Sequence, residues 1–375
     1  MIWEIKRYLD YAKKAFCRRG RLNFLILYAT SKCNLSCGTC FFHQNLNRQD
    51  DLSLEEYKKI SLSAGKFSIL GLSGGEPFLN PNLEELCELF VRNNQIDTLF
   101  IPTNGVQTDL ILEKTENLLK KFPHLSLSVN PSLDGLADYH DRNRGRSGTF
   151  QKCVQTIQGL GRLKNKYAHL QLVVNTVIGR ENLNQIETLM DFLKQYQLDF
   201  QAFELMRGDW PDRSLGLPDQ AEVKQLHRKI IQNRFYYLSL RRSSGLVGKI
   251  IFQLEKISTL GVLRLSQLFK ERALAGGRWP YPCRAGKNIF VVNPNGDFGA
   301  CELLPPLGDL RKFDFDLKKC LSDPNVSQEI LSLKGKKCDC THICFIHSAI
   351  AARPFSVFRI IRAYWEARGI IQEKK

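Results

Sequence analysis

Between residues 22 and 205, short apolar runs alternate with longer stretches of helical period. The runs at 24–30, 67–73, 98–102, 125–130, 170–178 and 199–205 predict strands. The stretches at 53–66, 83–93, 109–122, 150–166 and 184–196 predict helices. The first of these opens on Ser53 followed by Glu56, the spacing of a capping box. Six β–α repeats imply an α/β fold with a parallel sheet and helices outside it. In such sheets the chemistry gathers at the C-terminal ends of the strands. Three polar loops fall there: the cysteine loop 33–40 after the first strand, Gly74-Gly75-Glu76-Pro77 after the second, and Thr103-Asn104-Gly105 after the third.

Beyond residue 208 the pattern changes. Residues 209–280 read as a helical, basic connection, 281–348 as a small cysteine-rich unit, and 349–375 as a basic amphipathic helix. Residues 1–21 form a similar segment, with Ile2, Trp3, Ile5, Tyr8, Leu9 and Phe16 set among cations. Such ends suit an interfacial helix on an anionic membrane. They equally suit helices packed on the barrel with a charged face in water.

The chain has 375 residues, 43% of them hydrophobic, which allows a sizeable core. No apolar run reaches the roughly 18 residues that span a bilayer, and no signal-peptide pattern opens the chain. These features predict a cytoplasmic protein, with peripheral contact at the inner membrane face as the variant reading. The formal net charge of +16 favours an anionic partner. No nucleic-acid-binding module accompanies it, which puts nucleic acid last.

Eight of the twelve cysteines fall in two groups with ligand-like spacing, at 33–40 and 283–344. Cys17, Cys87, Cys153 and Cys320 are scattered and read as buried or incidental thiols. This clustering fits metal–thiolate sites in a reducing compartment better than disulfides. Cys33, Cys37 and Cys40 put three thiolates on one tight loop. Three thiolates can hold three irons of a [4Fe–4S] cubane and leave the fourth iron open. A zinc site with His43 as fourth ligand is the alternative that the cysteines alone allow.

With the loop that follows strand two, the chain resembles the radical S-adenosylmethionine (SAM) enzymes, whose hallmark is CxxxCxxC after the first strand of a partial (β/α)6 TIM-like barrel. The resemblance covers most of residues 22–205. It implies that SAM chelates the open iron and is cleaved reductively to a 5′-deoxyadenosyl radical, with ferredoxin or flavodoxin as reductant. It also implies that Ser73, Gly74, Gly75 and Glu76 receive the SAM amino group, and that Asn104, Ser132 and Asn175 add polar contacts. The ring that the family places just before the third cysteine is replaced by Thr39, so Phe41 is the candidate for the adenine contact.

The second cysteine group resembles the SPASM/twitch extensions that carry auxiliary clusters behind such barrels. Residues 290–297 read as a strand, a tight turn and the start of a second strand, which folds Cys301 back toward Cys283. Five well-placed cysteines predict one auxiliary [4Fe–4S] cluster on Cys283, Cys301, Cys340 and Cys344, with Cys338 as alternate. A zinc ribbon is the competing reading. The expected function is hydrogen abstraction from a peptide or protein side chain, the auxiliary cluster aiding electron transfer. Modification of a lipid-linked or membrane-associated small molecule is the alternative, and a non-enzymatic iron–sulfur or zinc scaffold the outside one.

Overall fold

The computed structural model describes residues 22–241, 244–333, 340–353 and 355–373. The amphipathic segment expected at 1–21, Cys17 and the alternate ligand Cys338 lie outside the described residues. The described strands are β1 (Phe24–Tyr28), β2 (Ile69–Ser73), β3 (Thr98–Thr103), β4 (Ser126–Pro131), β5 (Leu170–Ile178), β6 (Phe200–Leu205), β7 (Ile289–Val292), β8 (Asp297–Gly299) and β9 (Gly308–Asp309). They form one sheet in the order β6-β5-β4-β3-β2-β1-β7-β8-β9. All pairings from β6 to β7 are parallel.

The crossovers carry α1 (Leu54–Ala64), α2 (Leu83–Asn94), α3 (Thr108–Lys121), α4 (Ala137–Arg144), α5 (Thr149–Lys166) and α6 (Ile186–Leu193). After β6 come α7 (Gln220–Ser239) and the 30-residue α8 (Gly245–Leu274). Then follow α9 (Leu317–Ser322), α10 (Pro324–Ser332), α11 (Ile343–Ala351) and α12 (Ser356–Gln372). The predicted capping box is present at α1: the Ser53 side chain accepts from the Glu56 amide, and the Ser53 amide donates to Glu56 Oε2 at 2.7 Å.

Strand side chains alternate between two cores. Leu25, Leu27, Leu70, Leu72, Leu99 and Leu127 meet the crossover helices on one face. Phe24, Ile26 and Tyr28, with Ile289 and Val291, face the other way and meet Phe269 of α8, Phe345 of α11 and Ile360 of α12. Burial on both faces is why β1 reads as a continuous apolar run and not as an alternating one.

The hairpin expected near residue 290 forms, with Val291 opposite Gly299 across β7 and β8. Its first strand also pairs in parallel with β1, Phe24 opposite Ile289, so the cysteine-rich segment continues the barrel sheet. Helix α4 has no counterpart in the sequence reading. Its residues, ADYHDRNR, are strongly polar and show no apolar period, yet Tyr139, His140, Asn143 and Arg144 are buried. Among the described residues no helix is long and apolar enough to cross a membrane.

Candidate functional site

The cysteine loop leaves β1 and runs against the loop after β2. Gly75 donates its amide to the Thr30 carbonyl at 2.9 Å, and Glu76 donates to the Lys32 carbonyl at 2.8 Å. This is backbone-on-backbone packing. A Cβ at Gly75 would lie 2.2 Å from the Lys32 oxygen, and one at Gly74, whose φ is 135°, would lie 2.3 Å from the Thr30 oxygen. Only glycine tolerates such an approach. Asp51 accepts from the Thr30 hydroxyl and the Ser31 amide at 2.6 and 2.9 Å, and Asn47 accepts from the Cys33 amide at 2.9 Å. Both shoulders of the loop are thereby fastened before any ligand arrives.

Glu76 is 1% exposed. Its carboxylate accepts from the Asn104 amide at 2.6 Å and the Phe78 amide at 3.3 Å. The Asn104 side chain in turn donates to Asn34 Oδ1, inside the cysteine loop, at 2.8 Å. Asn104 therefore joins the carboxylate to the cysteine loop. Burial pushes the Glu76 carboxyl up to about 7, and the two backbone donors only partly oppose this. A carboxylate offers about four acceptor sites, so Glu76 retains capacity for an ammonium group. Ser73 ends β2, its carbonyl accepting from the Ala29 amide at 2.9 Å.

The other side of the loop meets α4. The Asn143 carbonyl accepts from the Gly38 amide at 2.7 Å, and the Asn143 side chain donates to Asp134 at 3.1 Å and to the Thr39 hydroxyl at 3.3 Å. The position just before the third cysteine is thus held by the Thr39 hydroxyl, which accepts from α4. Arg144 pairs with buried Asp134 at 2.7 Å and sets Nη1 3.6 Å from the Cys37 sulfur. Burial raises the Cys33 and Cys40 thiols to about 11, and the neighbouring Cys37 adds to this; the Arg144 guanidinium opposes it at Cys40. Asn34 Nδ2 and Arg144 Nε are buried with no partner among the described residues. Three thiols, a guanidinium, a buried carboxylate and two unused donors fit a cluster whose open iron takes an amine and a carboxylate. His43 turns Nδ1 to the Cys40 carbonyl at 2.9 Å and Nε2 toward Asp209 at 4.0 Å.

Ser132, just after β4, and Asn175, within β5, come together as a parallel bridge. The Ser132 amide donates to the Thr103 carbonyl at 2.8 Å, and the Leu133 amide donates to the Asn175 carbonyl at 2.9 Å. Asn175 and Glu204 share the face opposite the crossover helices, since Asn175 registers with Ala202 and Val177 with Glu204. Phe41 lies under the Arg207 guanidinium at 5.0 Å from the ring centroid.

Cys283, Cys301, Cys340 and Cys344 pack against the same inner core as Cys40 and Phe41. Burial raises the Cys301 thiol to about 12, with Cys340 and Cys283 adding to it. The His342 amide donates to the Cys340 sulfur at 3.2 Å, and the Ala285 amide to the Cys283 sulfur at 3.4 Å. Among the described residues no three His, Cys, Asp or Glu side chains converge to hold a single metal ion. A cubane takes each thiolate on a different iron. Cys87, Cys153 and Cys320 are fully buried, as expected of incidental thiols.

Between the two cysteine groups lies a buried polar bridge that sequence reading missed. Glu302 accepts from the Tyr28 hydroxyl at 2.9 Å, meets His342 Nε2, and faces Arg207 at 3.7 Å. Arg207 and Lys270 flank Glu204 at 3.7 and 3.6 Å. Despite burial, the Arg207 guanidinium and the contact with His342 hold the Glu302 carboxyl down, while burial draws the His342 imidazole below its ordinary value. The only sequence signal was the adjacency of Glu302 to Cys301 and of His342 to Cys340 and Cys344.

A parallel sheet with a cysteine loop at the end of β1 and a buried acid at the end of β2 defines a radical SAM domain. Residues 27–193 match the radical SAM superfamily. Members of that superfamily use a [4Fe–4S] cluster and SAM. The chain is 26% identical over 197 residues to a GTP 3′,8-cyclase of Clostridium botulinum, covering 50% of this chain and 58% of the cyclase. It is 27% identical over 168 residues to the sporulation killing factor maturation protein SkfB of Bacillus subtilis, covering 44% and 38%. The chain thus spans little more than half the length of the cyclase and less of SkfB. Streptococcus suis SuiB bound to its precursor peptide SuiA matches with a TM-score of 0.54 and 17% identity over 88% of this chain and 71% of SuiB. The enzyme anSMEcpe with bound SAM and a peptide matches with a TM-score of 0.55 and 20% identity over 95% and 100%. These two likenesses show the fold.

Proposed function

We propose that this chain holds a [4Fe–4S] cluster on Cys33, Cys37 and Cys40 and abstracts hydrogen from a peptide or protein side chain. When bound, the cluster and SAM supply a 5′-deoxyadenosyl radical, and the chain's own residues bind, orient and shield. Glu76 receives the ammonium of SAM, and the unused donors of Asn34 and Arg144 serve its carboxylate. Ser132 and Asn175 add polar contacts, and Phe41 carries the adenine. Cys283, Cys301, Cys340 and Cys344 hold an auxiliary cluster in a SPASM/twitch-like unit at 281–348 that aids electron transfer, and a ferredoxin or flavodoxin supplies the electron.

The observation that carries this reading is the Glu76–Asn104–Asn34 chain, which fixes a buried carboxylate against the cysteine loop. The peptide substrate is supported by relatives: SkfB is a maturation protein, and SuiB and anSMEcpe were solved with peptides. The second reading, a lipid-linked or membrane-associated substrate, is favoured by large apolar side chains exposed on α8 and α12. The test is anaerobic reconstitution with iron and sulfide counting, followed by a dithionite-driven SAM-cleavage assay. Formation of 5′-deoxyadenosine that disappears in Cys33→Ala, Cys37→Ala and Cys40→Ala supports the proposal. Cleavage that survives those substitutions ends it.

A further inference from the structure

We propose that the projecting start of α8 and the outward face of α12 form one docking surface for a bilayer rich in anionic headgroups. In α12 the buried positions Ser356, Ile360, Ala363, Ala367 and Ile370 make one seam against the protein body. At 100° per residue, Phe358, Ile361 and Trp365 fall on the opposite side of the helix. They are 69, 41 and 58% exposed, and Phe355, just before the helix, is 79% exposed. Arg362 and Arg368 border this stripe on its two sides. Among the described residues nothing covers this apolar face.

Helix α8 repeats the arrangement. Its first buried residue is Phe252, and the turns before it show Leu246 at 75%, Val247 at 67% and Ile250 at 54% exposure, with Leu254 beyond at 52%. Lys249 lies among them. The two helices run in the same direction, because α7 is antiparallel to both. His227 of α7 and Arg241, just after its end, meet Glu271 and Glu255 of α8, whereas Arg228 and Gln232 of α7 meet Glu373, just after α12, and the Ile370 carbonyl of α12. The crossing is at Gly261, where a Cβ would lie 2.4 Å from the Ile360 carbonyl. The start of α12 therefore lies beside α8 just after the exposed turns, and both apolar stretches occupy the same end of the pair.

Charge selects the occupant. Residues 1–21 carry seven Lys or Arg against two acids, and a second copy of the chain brings a further +16. Both are repelled by a cationic rim. An anionic bilayer is attracted by it, while the aromatic and aliphatic side chains enter the headgroup boundary and the arginines remain at its surface. This deepens the membrane-contact reading by naming its surface, and it holds for either class of substrate.

The test uses the full chain in sedimentation with vesicles of equal parts phosphatidylcholine and phosphatidylglycerol, and with pure phosphatidylcholine vesicles. Binding to the mixed vesicles, weakened by salt, is expected. The combined substitution Leu246→Ser, Ile250→Ser, Phe358→Ser and Trp365→Ser should reduce the bound fraction about tenfold or more. All four positions are exposed, so melting and iron content should remain those of the parent, and a variant restricted to Phe358→Ser and Trp365→Ser provides a milder check. Equal binding by the parent and both variants overturns the proposal and points to residues 1–21. No binding at low salt also overturns it, as does a dimer that the substitutions dissociate while vesicle binding is unchanged.

Discussion

Arg144 sets one guanidinium nitrogen 3.6 Å from the sulfur of Cys37 while the other is held 2.7 Å from the buried carboxylate of Asp134. Asp134 accepts in addition from the Val177 amide at 2.9 Å and the Asn143 side chain at 3.1 Å. The position of the guanidinium beside the thiol is therefore set by the ends of β4 and β5 and not by the cysteine loop.

Removing the guanidinium strands Asp134, which is 1% exposed. Arg144→Met should lower the stability of the metal-free protein by ~3–5 kcal/mol, the usual cost of leaving one member of a buried pair. Urea denaturation checks this. In the reconstituted protein, loss of the donor to sulfur should also shift the reduction potential of the first cluster, read by potentiometric titration with EPR.

Glu76→Gln should leave the iron content unchanged and weaken SAM binding roughly tenfold or more, as expected for losing a charge-assisted hydrogen bond worth ~1.5–3 kcal/mol. With the carboxyl raised to about 7, SAM affinity of the parent should fall as pH drops through that value, while that of the Gln variant stays flatter. The stability sign is opposite. A raised carboxyl pKa stabilises the fold below the unfolded value of about 4.3, and this contribution is lost as pH rises through about 7. Calorimetric SAM titration and denaturation of both proteins at acid and alkaline pH decide the matter.

Gly75→Ala forces a Cβ into the Lys32 carbonyl, so the two loops must part. A loss of ~1–3 kcal/mol is expected from overpacking. The first cluster should be depleted while the auxiliary one remains, which iron counting with EPR will show.

The pair Cys301→Ala and Cys340→Ala should reduce reconstituted iron from roughly eight to roughly four per chain. Dithionite-driven SAM cleavage should persist, because the first loop is untouched. Retention of eight irons would reassign the auxiliary ligands.

Local patterns in the chain were enough for the six strands and five of the crossover helices, for the capping box at Ser53, for the cysteine loop, and for the turn between β7 and β8. Each is a matter of periodicity or spacing within a few residues. Helix α4 escaped because a polar helix held by buried Tyr139, His140 and Arg144 has no apolar period. Tertiary structure alone decided that β7 pairs with β1, that Arg144 reaches Cys37, and that Tyr28 meets Glu302 across 274 residues of chain. It also decided which face of α12 is buried, since both faces are apolar and only packing against α8 separates them. Sequence pattern specifies what a segment can bury, whereas partners far apart in the chain are chosen by the sheet order and by the charges that must be paired once water is excluded.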